Sequence, residues 1–276
     1  RRPRIFQYNI WPYETTYGIN NAMVWTPRQV VETFHLVFLR ALVAKGDDKA
    51  LIALRGGCNL RFYFGSLRYS EDIDFDVSVI AKDTLKNKVE RLLRSPLITA
   101  PLKAKGIEII ETTAPKQTLT TQRWKLGLRA AGISVPLRTK VEFSRRDSLG
   151  DTAFERVDAE VLRPYGLPAF LATHYTLSAA ITQKIHALAE RAEPQVRDLF
   201  DLNLLFARPE SEHLVLDAPQ EAWLPAAVEH AFAMSFDEYR SKIVAYLEPA
   251  QLELYSERSA WDVLQNVVIE RLEALR

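Results

Sequence analysis

Hydrophobic residues first recur at helical spacing between Val30 and Leu42, where they fall three or four positions apart. This spacing is typical of the buried face of an amphipathic helix. Thr26-Pro27 supplies an N-cap followed by proline at the first helical position, and Gly46 supplies a stop signal. The pattern therefore predicts a helix between these signals. Residues 1–25 show no clear period, and we expect a packed extended arm there.

The next part of the chain changes pattern several times over a short distance. Leu51–Leu54 is a short, uninterrupted apolar run, which is typical of a buried strand. Gly56-Gly57 then interrupts it, as a bend with positive φ or a close approach to a ligand requires. Helical spacing returns from Cys58 to Phe64. In the segment Asp72–Asp76, carboxylates alternate with apolar residues and would share one face of a strand.

Farther along, a helical segment at 81–93 precedes a region in which apolar and polar residues alternate. That region predicts strands at 107–111, 122–129, 135–144 and 154–161, with Gly132 and Ser134 at a hairpin turn. From about residue 169 helical spacing prevails, in segments 174–191, 196–207, 221–233, 236–247 and 257–275. The change near Leu167-Pro168 predicts two lobes, residues 1–167 and 168–276. We therefore expect an α/β (α+β) protein with a mixed β-sheet lobe followed by an α-helical lobe.

Length and composition agree with a folded protein of two lobes. The chain has 276 residues, of which 47% are hydrophobic and 26% are charged, so it has enough apolar material for a core. Its net charge of +1 means that any nucleic-acid partner must meet a local basic surface. Cys58 is the single cysteine, so no intrachain disulfide forms, as suits a reducing cytoplasm. No apolar run reaches about 18 residues, and we expect no membrane span.

Carboxylates and glycines together suggest where chemistry takes place. On one strand face, Asp72 and Asp74 repel each other unless a cation neutralises them, and a hard divalent ion suits oxygen ligands. Glu142, in the alternating segment 135–144, is placed to supply a third carboxylate from a neighbouring strand. With Gly56-Gly57 as a phosphate turn, this set predicts a nucleotidyl-transfer site. The alternative is a polar strand edge with solvated acids and an ordinary glycine turn.

A second group of charges lies far downstream. Lys184 and Arg191 are seven residues apart and share a helix face, while Asp198 and Asp201 share a face of the next helix. Lys184 would reach a β- or γ-phosphate as a point charge, and Arg191 and Arg197 suit planar contacts with phosphate or acids. The alternative is a network of basic and acidic side chains that ties two helices together, with Arg197 and Asp201 as an i, i+4 pair.

Two motifs in this order resemble those of a known family. The first is Arg55-Gly-Gly-Cys-Asn-Leu-Arg-Phe-Tyr-Phe-Gly65 with Arg68-Tyr-Ser-Glu-Asp-Ile-Asp74, and the second is Gln183–Arg191 followed by Arg197-Asp198-Leu-Phe-Asp201-Leu. Both are similar to motifs of the AbiEii/AbiGii toxin family, which belongs to the nucleotidyltransferase superfamily with a DNA polymerase β-like core. Cys58 departs from the pattern, because the superfamily usually has Ser or Thr there. A thiol hydrogen-bonds weakly, so phosphate contact would fall to backbone N–H groups.

The resemblance implies an enzyme that uses Mg²⁺ or Mn²⁺ to transfer NMP from an NTP to an acceptor hydroxyl, with release of pyrophosphate. It implies that Asp72, Asp74 and Glu142 form the metal site. Lys184 and Asp198 would complete the active site from the helical lobe, and Glu142 or Asp198 would deprotonate the acceptor. The residues expected to meet the nucleotide are Gly56, Gly57, Cys58, Arg68, Ser70 and Lys184.

The family also implies the biological role and the partners. A toxin of this kind would act on RNA, with the 3′ acceptor end of tRNA as the expected substrate, and would so block translation. A cognate antitoxin protein is the implied partner, and we expect a cytoplasmic monomer without membrane contact. Two alternatives stay open: a protein or small-molecule acceptor, or a catalytically silent nucleotide- or RNA-binding protein. The sequence does not indicate which NTP is preferred.

Basic residues on the alternating segments suggest an RNA interface that includes one tryptophan. They are Arg123, Lys125, Arg129, Arg138, Lys140, Arg145 and Arg146, with Trp124 among them. Arginine binds phosphodiester backbones, and the Trp124 ring would stack on a base. The alternative is a solvated strand face.

Overall fold

The structure is a computed structural model that describes residues 25–44 and 49–276. The predicted N-terminal arm up to residue 24 and the predicted helix stop at Gly46 lie outside these residues. The strands are β1 (Ile52–Arg55), β2 (Ile73–Val77), β3 (Ile107–Gln117), β4 (Thr121–Ala130), β5 (Leu137–Arg145), β6 (Thr152–Arg156) and β7 (Leu171–Tyr175). The helices are α1 (Pro27–Ala44), α2 (Gly56–Tyr63), α3 (Lys82–Leu93), α4 (Pro96–Lys103), α5 (Ala159–Leu162), α6 (Leu177–Glu190), α7 (Val196–Phe206), α8 (Ala218–Glu221), α9 (Leu224–Ala233), α10 (Phe236–Lys242), α11 (Pro249–Tyr255) and α12 (Arg258–Ala274).

In the part of the chain that the structure describes, the strands form one seven-stranded mixed sheet in the order β3-β4-β5-β2-β1-β7-β6. β2 lies parallel to β5 and antiparallel to β1, and β1 lies parallel to β7. β4 pairs antiparallel with both β3 and β5, and β6 pairs antiparallel with β7. The central strands β1 and β2 bury apolar residues such as Leu54 and Phe75. The mixed sheet that the alternating pattern predicts is confirmed.

Helix α1 packs against the sheet and forms much of the core of the sheet lobe. Phe34 and Phe38 on α1 are fully buried, and the Phe38 ring lies 6.1 Å from the ring of Phe75 on β2. α3 and α4 pack beside α1 and add Leu85 and Ile98 to the same apolar cluster. Each such side chain contributes about 1.5–3 kcal/mol of transfer free energy when it is fully buried. This layer therefore stabilises the positions of the strands that carry the site.

Helices α6, α7, α9, α10, α11 and α12 contribute residues to a second apolar core. Tyr239 and Trp261 are buried there, with ring centroids 4.9 Å apart. Leu60 on α2 belongs to this core, whereas Cys58 and Phe62 on the same helix belong to the core of the sheet lobe. Helix α2 therefore lies at the junction of the two lobes. None of the helices in residues 25–44 and 49–276 has the length and apolar character that a membrane span requires.

Two segments differ from the predicted elements. Helix was expected from about residue 169, but residues 171–175 form β7, which is hydrogen-bonded to β1 on one side and to β6 on the other. The strand predicted at 154–161 ends at Arg156, and α5 follows with Asp158 as its N-cap. The sequence Leu-Ala-Thr-His-Tyr of β7 does not alternate between apolar and polar residues, so its pairing with β1 and β6 decides its structure. The sheet continues beyond residue 167, and we propose the lobe division between β7 and α6 instead.

Candidate active site

A cleft of about 560 Å³ opens where the two lobes meet. β1, β2, β5 and the N-terminus of α2 line one wall, and α6, α7 and α10 line the other. Among the described residues, nine basic and four acidic side chains face it: Arg28, Arg55, Arg68, Arg138, Lys140, Lys184, Arg191, Arg197 and Lys242, with Glu71, Asp72, Asp74 and Asp198. Because the whole chain has a net charge of only +1, the cleft concentrates positive charge, and it suits a polyanionic ligand.

The glycine pair forms the N-terminus of α2 at the base of this cleft. Arg55 is extended, and Gly56 turns the chain with φ +65°, a conformation that favours glycine. A Cβ on Gly57 would lie 2.8 Å from Ser70 Oγ, so the close approach of these two segments requires a glycine. The free N–H groups at a helix N-terminus attract anions. The predicted bend with positive φ is therefore confirmed, and it faces the cleft.

Ser70 and Cys58, both predicted to meet the nucleotide, face in different directions. Ser70 lines the cleft, and its hydroxyl donates to the Asp72 carbonyl at 2.7 Å. Cys58 is 1% exposed, and its Sγ lies 3.6 Å from His35 Nδ1. Burial raises the pKa of the Cys58 thiol well above its ordinary value. The thiol belongs to the core, so its backbone is the part of this residue that is left to meet a phosphate.

The three predicted metal-binding carboxylates come from neighbouring strands. Asp72 immediately precedes β2, Asp74 lies on β2, and Glu142 on β5 is directly beside Asp74 in the register of the two strands. Among the described residues, none forms a hydrogen bond or ion pair with the Asp74 carboxylate. Burial raises the pKa of the Asp74 carboxyl above its ordinary value, while the charge of Lys140 acts in the opposite direction. The neighbouring acids add to the rise.

Asp76, which was expected on the same face as Asp72 and Asp74, has a different role. Its side chain is 3% exposed, and Arg55 Nη1 lies 2.8 Å from its Oδ1. The hydroxyl of Tyr175 on β7 donates to its other oxygen at 2.8 Å. These contacts tie three adjacent strands together and leave Asp76 outside the cleft lining.

Basic side chains contact the outer two carboxylates of the set. Lys140 Nζ lies 2.8 Å from Asp72 Oδ2, and Arg123 Nε lies 2.5 Å from Glu142 Oε2. Within the described part of the chain, no group of three or more possible ligands is close enough together to hold a metal ion. The donor chemistry nevertheless fits Mg²⁺ or Mn²⁺, since all three groups offer hard oxygen ligands. Asp74, between them, forms no ion pair with a described residue, although the charges of Lys140 and Arg55 act on it.

Lys184 and the two aspartates of α7 form a buried ionic network. Lys184 Nζ lies 2.8 Å from Asp198 Oδ1 and 2.6 Å from Asp201 Oδ2, and both carboxylates are fully buried. Arg191 Nη1 contacts the second oxygen of Asp198 at 2.5 Å, and Arg68 Nη2 contacts Asp201 at 3.0 Å. Burial alone would raise the pKa of the Asp201 carboxyl, but the charges of Lys184 and Arg68 outweigh it and hold the pKa below its ordinary value.

The predicted pair between Arg197 and Asp201 is wrong. Asp201 is bound by Lys184 and by Arg68, which comes from the sheet lobe, and Arg197 instead lines the cleft. The network of basic and acidic side chains that ties two helices together is therefore present. It is the alternative to a nucleotide-binding role that the sequence suggested. It also places Lys184 and Arg68 in the cleft wall, so the two roles are compatible.

The sequence matches the model of a known protein family. Residues 37–263 match the family model of the nucleotidyl transferase AbiEii toxin, from type IV toxin–antitoxin systems. The chain belongs to this AbiEii family. The match covers most of the chain and includes both motifs discussed above. Among the curated proteins compared with the chain, none matches it.

Two solved structures have a similar fold to this AbiEii-family chain. JHP933 from Helicobacter pylori superposes with a TM-score of 0.59 at 17% identity, over 90% of this chain and 94% of that one. MenT4, a nucleotidyltransferase toxin from Mycobacterium tuberculosis, superposes with a TM-score of 0.61 at 18% identity, over 91% of this chain and 85% of that one. At such identities the likeness is one of fold. It confirms the predicted α/β nucleotidyltransferase fold with a helical C-terminal region.

In this AbiEii-family protein, the predicted stacking of Trp124 on an RNA base is wrong. The ring is fully buried, and it packs edge-on against Phe143 with centroids 5.9 Å apart. Arg123 and Lys140, from the same group of basic residues, contact the acids of the site. Arg138 on β5 forms an ion pair with Glu111 on β3, across the intervening strand β4, and also lines the cleft. The basic segments therefore contribute charge to the site and the cleft wall.

Arg28 and Tyr246 were not indicated by the sequence, although both line the cleft of this AbiEii-family protein. Arg28 donates to the backbone carbonyls of Tyr246 and Ala245, and its guanidinium lies 5.3 Å from the centre of the Tyr246 ring. The contact joins the start of α1 to the helical lobe. More than 200 residues separate its partners along the chain, so no local pattern marks it.

Proposed function

We propose that this protein transfers the NMP group of an NTP to the 3′ hydroxyl of an RNA acceptor, of which tRNA is the expected class, and so blocks translation. The observation that carries this proposal is the cleft itself. A glycine-led helix N-terminus, Asp72 and Asp74, and nine basic side chains all face one space of about 560 Å³. That volume lies within the range of about 300–1,000 Å³ that small-molecule sites occupy. A triphosphate and an RNA end are both polyanions, which the basic walls would attract.

The residues of the sheet lobe would bind the reacting phosphate. Asp72 and Asp74 would hold Mg²⁺ or Mn²⁺, which when bound neutralises charge that develops on the phosphate oxygens. The N–H groups at the start of α2, beside Gly57, would bind the triphosphate. From the other wall, Lys184 would neutralise the β- and γ-phosphates as a point charge.

In the proposed reaction, the acceptor hydroxyl oxygen attacks the α-phosphorus. A new O–P bond forms as the bond between the α-phosphorus and the oxygen that leads to the β-phosphate breaks. Pyrophosphate leaves with that electron pair, and the hydroxyl proton passes to a carboxylate.

Glu142 suits the role of base better than Asp198. Asp198 has both oxygens engaged, since one accepts a hydrogen bond from Lys184 and the other accepts one from Arg191. Glu142 is not itself a cleft-lining residue, but it lies directly beside Asp74, which is. It binds Arg123 through Oε2 alone among the described residues, which leaves Oε1 available. We therefore assign Glu142 as the base and Asp198 as the residue that positions Lys184.

Labelled nucleotides test this proposal. Purified protein should transfer label from at least one α-³²P-NTP to total tRNA in the presence of Mg²⁺ or Mn²⁺. Asp74→Ala should abolish the transfer and keep the wild-type circular-dichroism spectrum. Asp147→Ala, which changes an exposed acid outside the cleft lining, should label tRNA as the wild type does. Transfer by a folded Asp74→Ala protein would refute the assigned site.

The same assay separates the other candidate functions. Label on a protein or a small molecule, with none on RNA, would keep the site and change the acceptor. Nucleotide binding without transfer from any of the four NTPs, with either metal, would identify a silent binding protein.

We also propose that a cognate antitoxin protein restrains this activity, because the family is that of type IV toxin–antitoxin systems. Induced expression of the wild-type chain alone should arrest growth and reduce incorporation of labelled amino acids. Asp74→Ala should not do so at the same expression level. Growth arrest by the transfer-dead variant would show that toxicity does not depend on nucleotide transfer.

A further inference from the structure

Lys140 combines two properties that the proposed reaction does not yet use. Its ammonium lies 2.8 Å from Asp72 Oδ2, and its side chain also lines the cleft. The side chains of Lys140 and Asp72 are 32% and 29% exposed, so the pair lies within reach of a ligand in the cleft. A divalent cation that binds Asp72 would therefore compete with the Lys140 ammonium for the same carboxylate.

Strand register places this lysine beside the acids. β2 and β5 run parallel, with Asp74 beside Glu142, so Lys140 lies two residues earlier on β5 and on the same face. Arg123 on β4 is directly opposite Glu142 and binds it. The position of Lys140 next to Asp72 therefore follows from the pairing of three strands and not from the reach of a surface side chain.

The balance of charge explains what this lysine would do. Asp72, Asp74 and Glu142 bring three negative charges, and Lys140 and Arg123 bring two positive ones. Arg123 does not line the cleft, whereas Lys140 does. If a cation took Asp72, the ammonium of Lys140 would need a new anion, and the phosphates of a nucleotide would lie in the same cleft.

We propose that Lys140 is a nucleotide-phosphate ligand that couples metal binding to nucleotide binding. It pairs with Asp72 until a divalent cation takes that carboxylate, and its ammonium then pairs with the phosphates. This inference rests on the proposed function, and it adds a nucleotide-binding residue to the same site. It predicts that Lys140 opposes metal binding in the absence of nucleotide and favours nucleotide binding in the presence of metal.

Two binding measurements on Lys140→Met test these opposite effects. The first is the affinity of the nucleotide-free protein for Mn²⁺, followed by electron paramagnetic resonance. The second is the affinity for an α,β-methylene NTP analogue at saturating Mn²⁺, measured by calorimetry. We expect Mn²⁺ to bind about fivefold more tightly, the factor for a partly exposed ion pair of about 1 kcal/mol, and the analogue to bind at least about fivefold more weakly.

Two further variants make the test specific. Lys140→Arg keeps the positive charge and should retain both wild-type affinities to within about twofold. Lys125→Met removes an exposed lysine that lies directly across from Lys140 on β4 and has no carboxylate partner among the described residues. It should leave both affinities unchanged. Each variant is checked first for a wild-type circular-dichroism spectrum.

The outcomes separate this inference from the function on which it rests. Tighter Mn²⁺ binding together with weaker analogue binding in Lys140→Met supports the coupling. Unchanged or weaker Mn²⁺ binding in a folded Lys140→Met protein overturns it, because a structural role alone would not tighten metal binding. If Asp74→Ala binds Mn²⁺ as the wild type does, the proposed metal site fails, whatever Lys140 does.

Discussion

Replacing Lys184 by methionine removes a cation that touches two buried aspartates at once. Lys184 is 13% exposed, and its Nζ lies 2.8 Å from Asp198 and 2.6 Å from Asp201. Methionine keeps the length and the apolar stem of the side chain. The substitution therefore isolates the charge, and it leaves two carboxylates without their shared partner in the interior.

The expected loss of stability follows from the partners that remain. Breaking a buried ion pair by removing one partner costs about 3–5 kcal/mol. Asp198 would keep Arg191, and Asp201 would keep Arg68, so neither carboxylate becomes wholly unpaired. We therefore expect the free energy of unfolding to fall by about 3 kcal/mol, at the lower end of that range. In proteins of similar size, about 1 kcal/mol lowers the melting temperature by about 2–4 °C, so we expect a shift of about 6–12 °C.

Differential scanning calorimetry of ligand-free protein measures this shift. Lys242→Met is the matched control, since that lysine also lines the cleft but forms an exposed pair with Glu238 at 3.6 Å. It should cost less than about 1 kcal/mol. Adding Asp201→Asn to Lys184→Met should cost less than the sum of the two single changes, because the sites are coupled. A melting temperature of Lys184→Met within about 2 °C of the wild type would refute the reasoning.

Three further predictions concern α2 and the residues packed against it. Gly57→Ala places a Cβ 2.8 Å from Ser70 Oγ and should weaken nucleotide affinity about tenfold in calorimetry. Adding Ser70→Ala to Gly57→Ala should restore part of the affinity. Wild-type affinity in Gly57→Ala alone would contradict the close packing. Burial lowers the pKa of His35 from 6.5 to about 3. As pH falls below 6.5, His35 is therefore protonated in the unfolded chain but not in the folded one, and the free energy of unfolding decreases. At pH 5 the free energy of unfolding should be lower by about 1.4 kcal/mol for each of about 1.5 pH units, or about 2 kcal/mol. Urea unfolding at pH 8 and pH 5 should show this difference in the wild type and not in His35→Gln. The same pH dependence in both proteins would disprove the prediction. Cys58, the single cysteine, is 1% exposed. A thiol reagent such as DTNB should therefore label the native protein only as fast as the protein unfolds. Rapid stoichiometric labelling without denaturant would show instead that the thiol is accessible.

The sequence by itself was enough for features whose cause is local. An apolar run, a glycine pair and a returning helical period mark β1 and α2, because bend, strand and helix each impose their own spacing on neighbouring residues. The alternation around Asp74 identifies β2, and the alternation around Glu142 identifies β5, for the same reason. Resemblance of the two motifs then indicated the nucleotidyltransferase fold, and the match over residues 37–263 bears the family out.

Only the tertiary structure decided how distant residues are paired. β7 is a strand because β1 and β6 flank it, and its sequence Leu-Ala-Thr-His-Tyr does not alternate between apolar and polar residues. Arg68 binds Asp201 from the other lobe, although an i, i+4 neighbour of that aspartate was available. Trp124 is buried, and Lys140 contacts Asp72, because register assigns each strand residue to one face and to one neighbour. Periodicity records which side of an element is buried, whereas the partner of a charge depends on which elements meet in space.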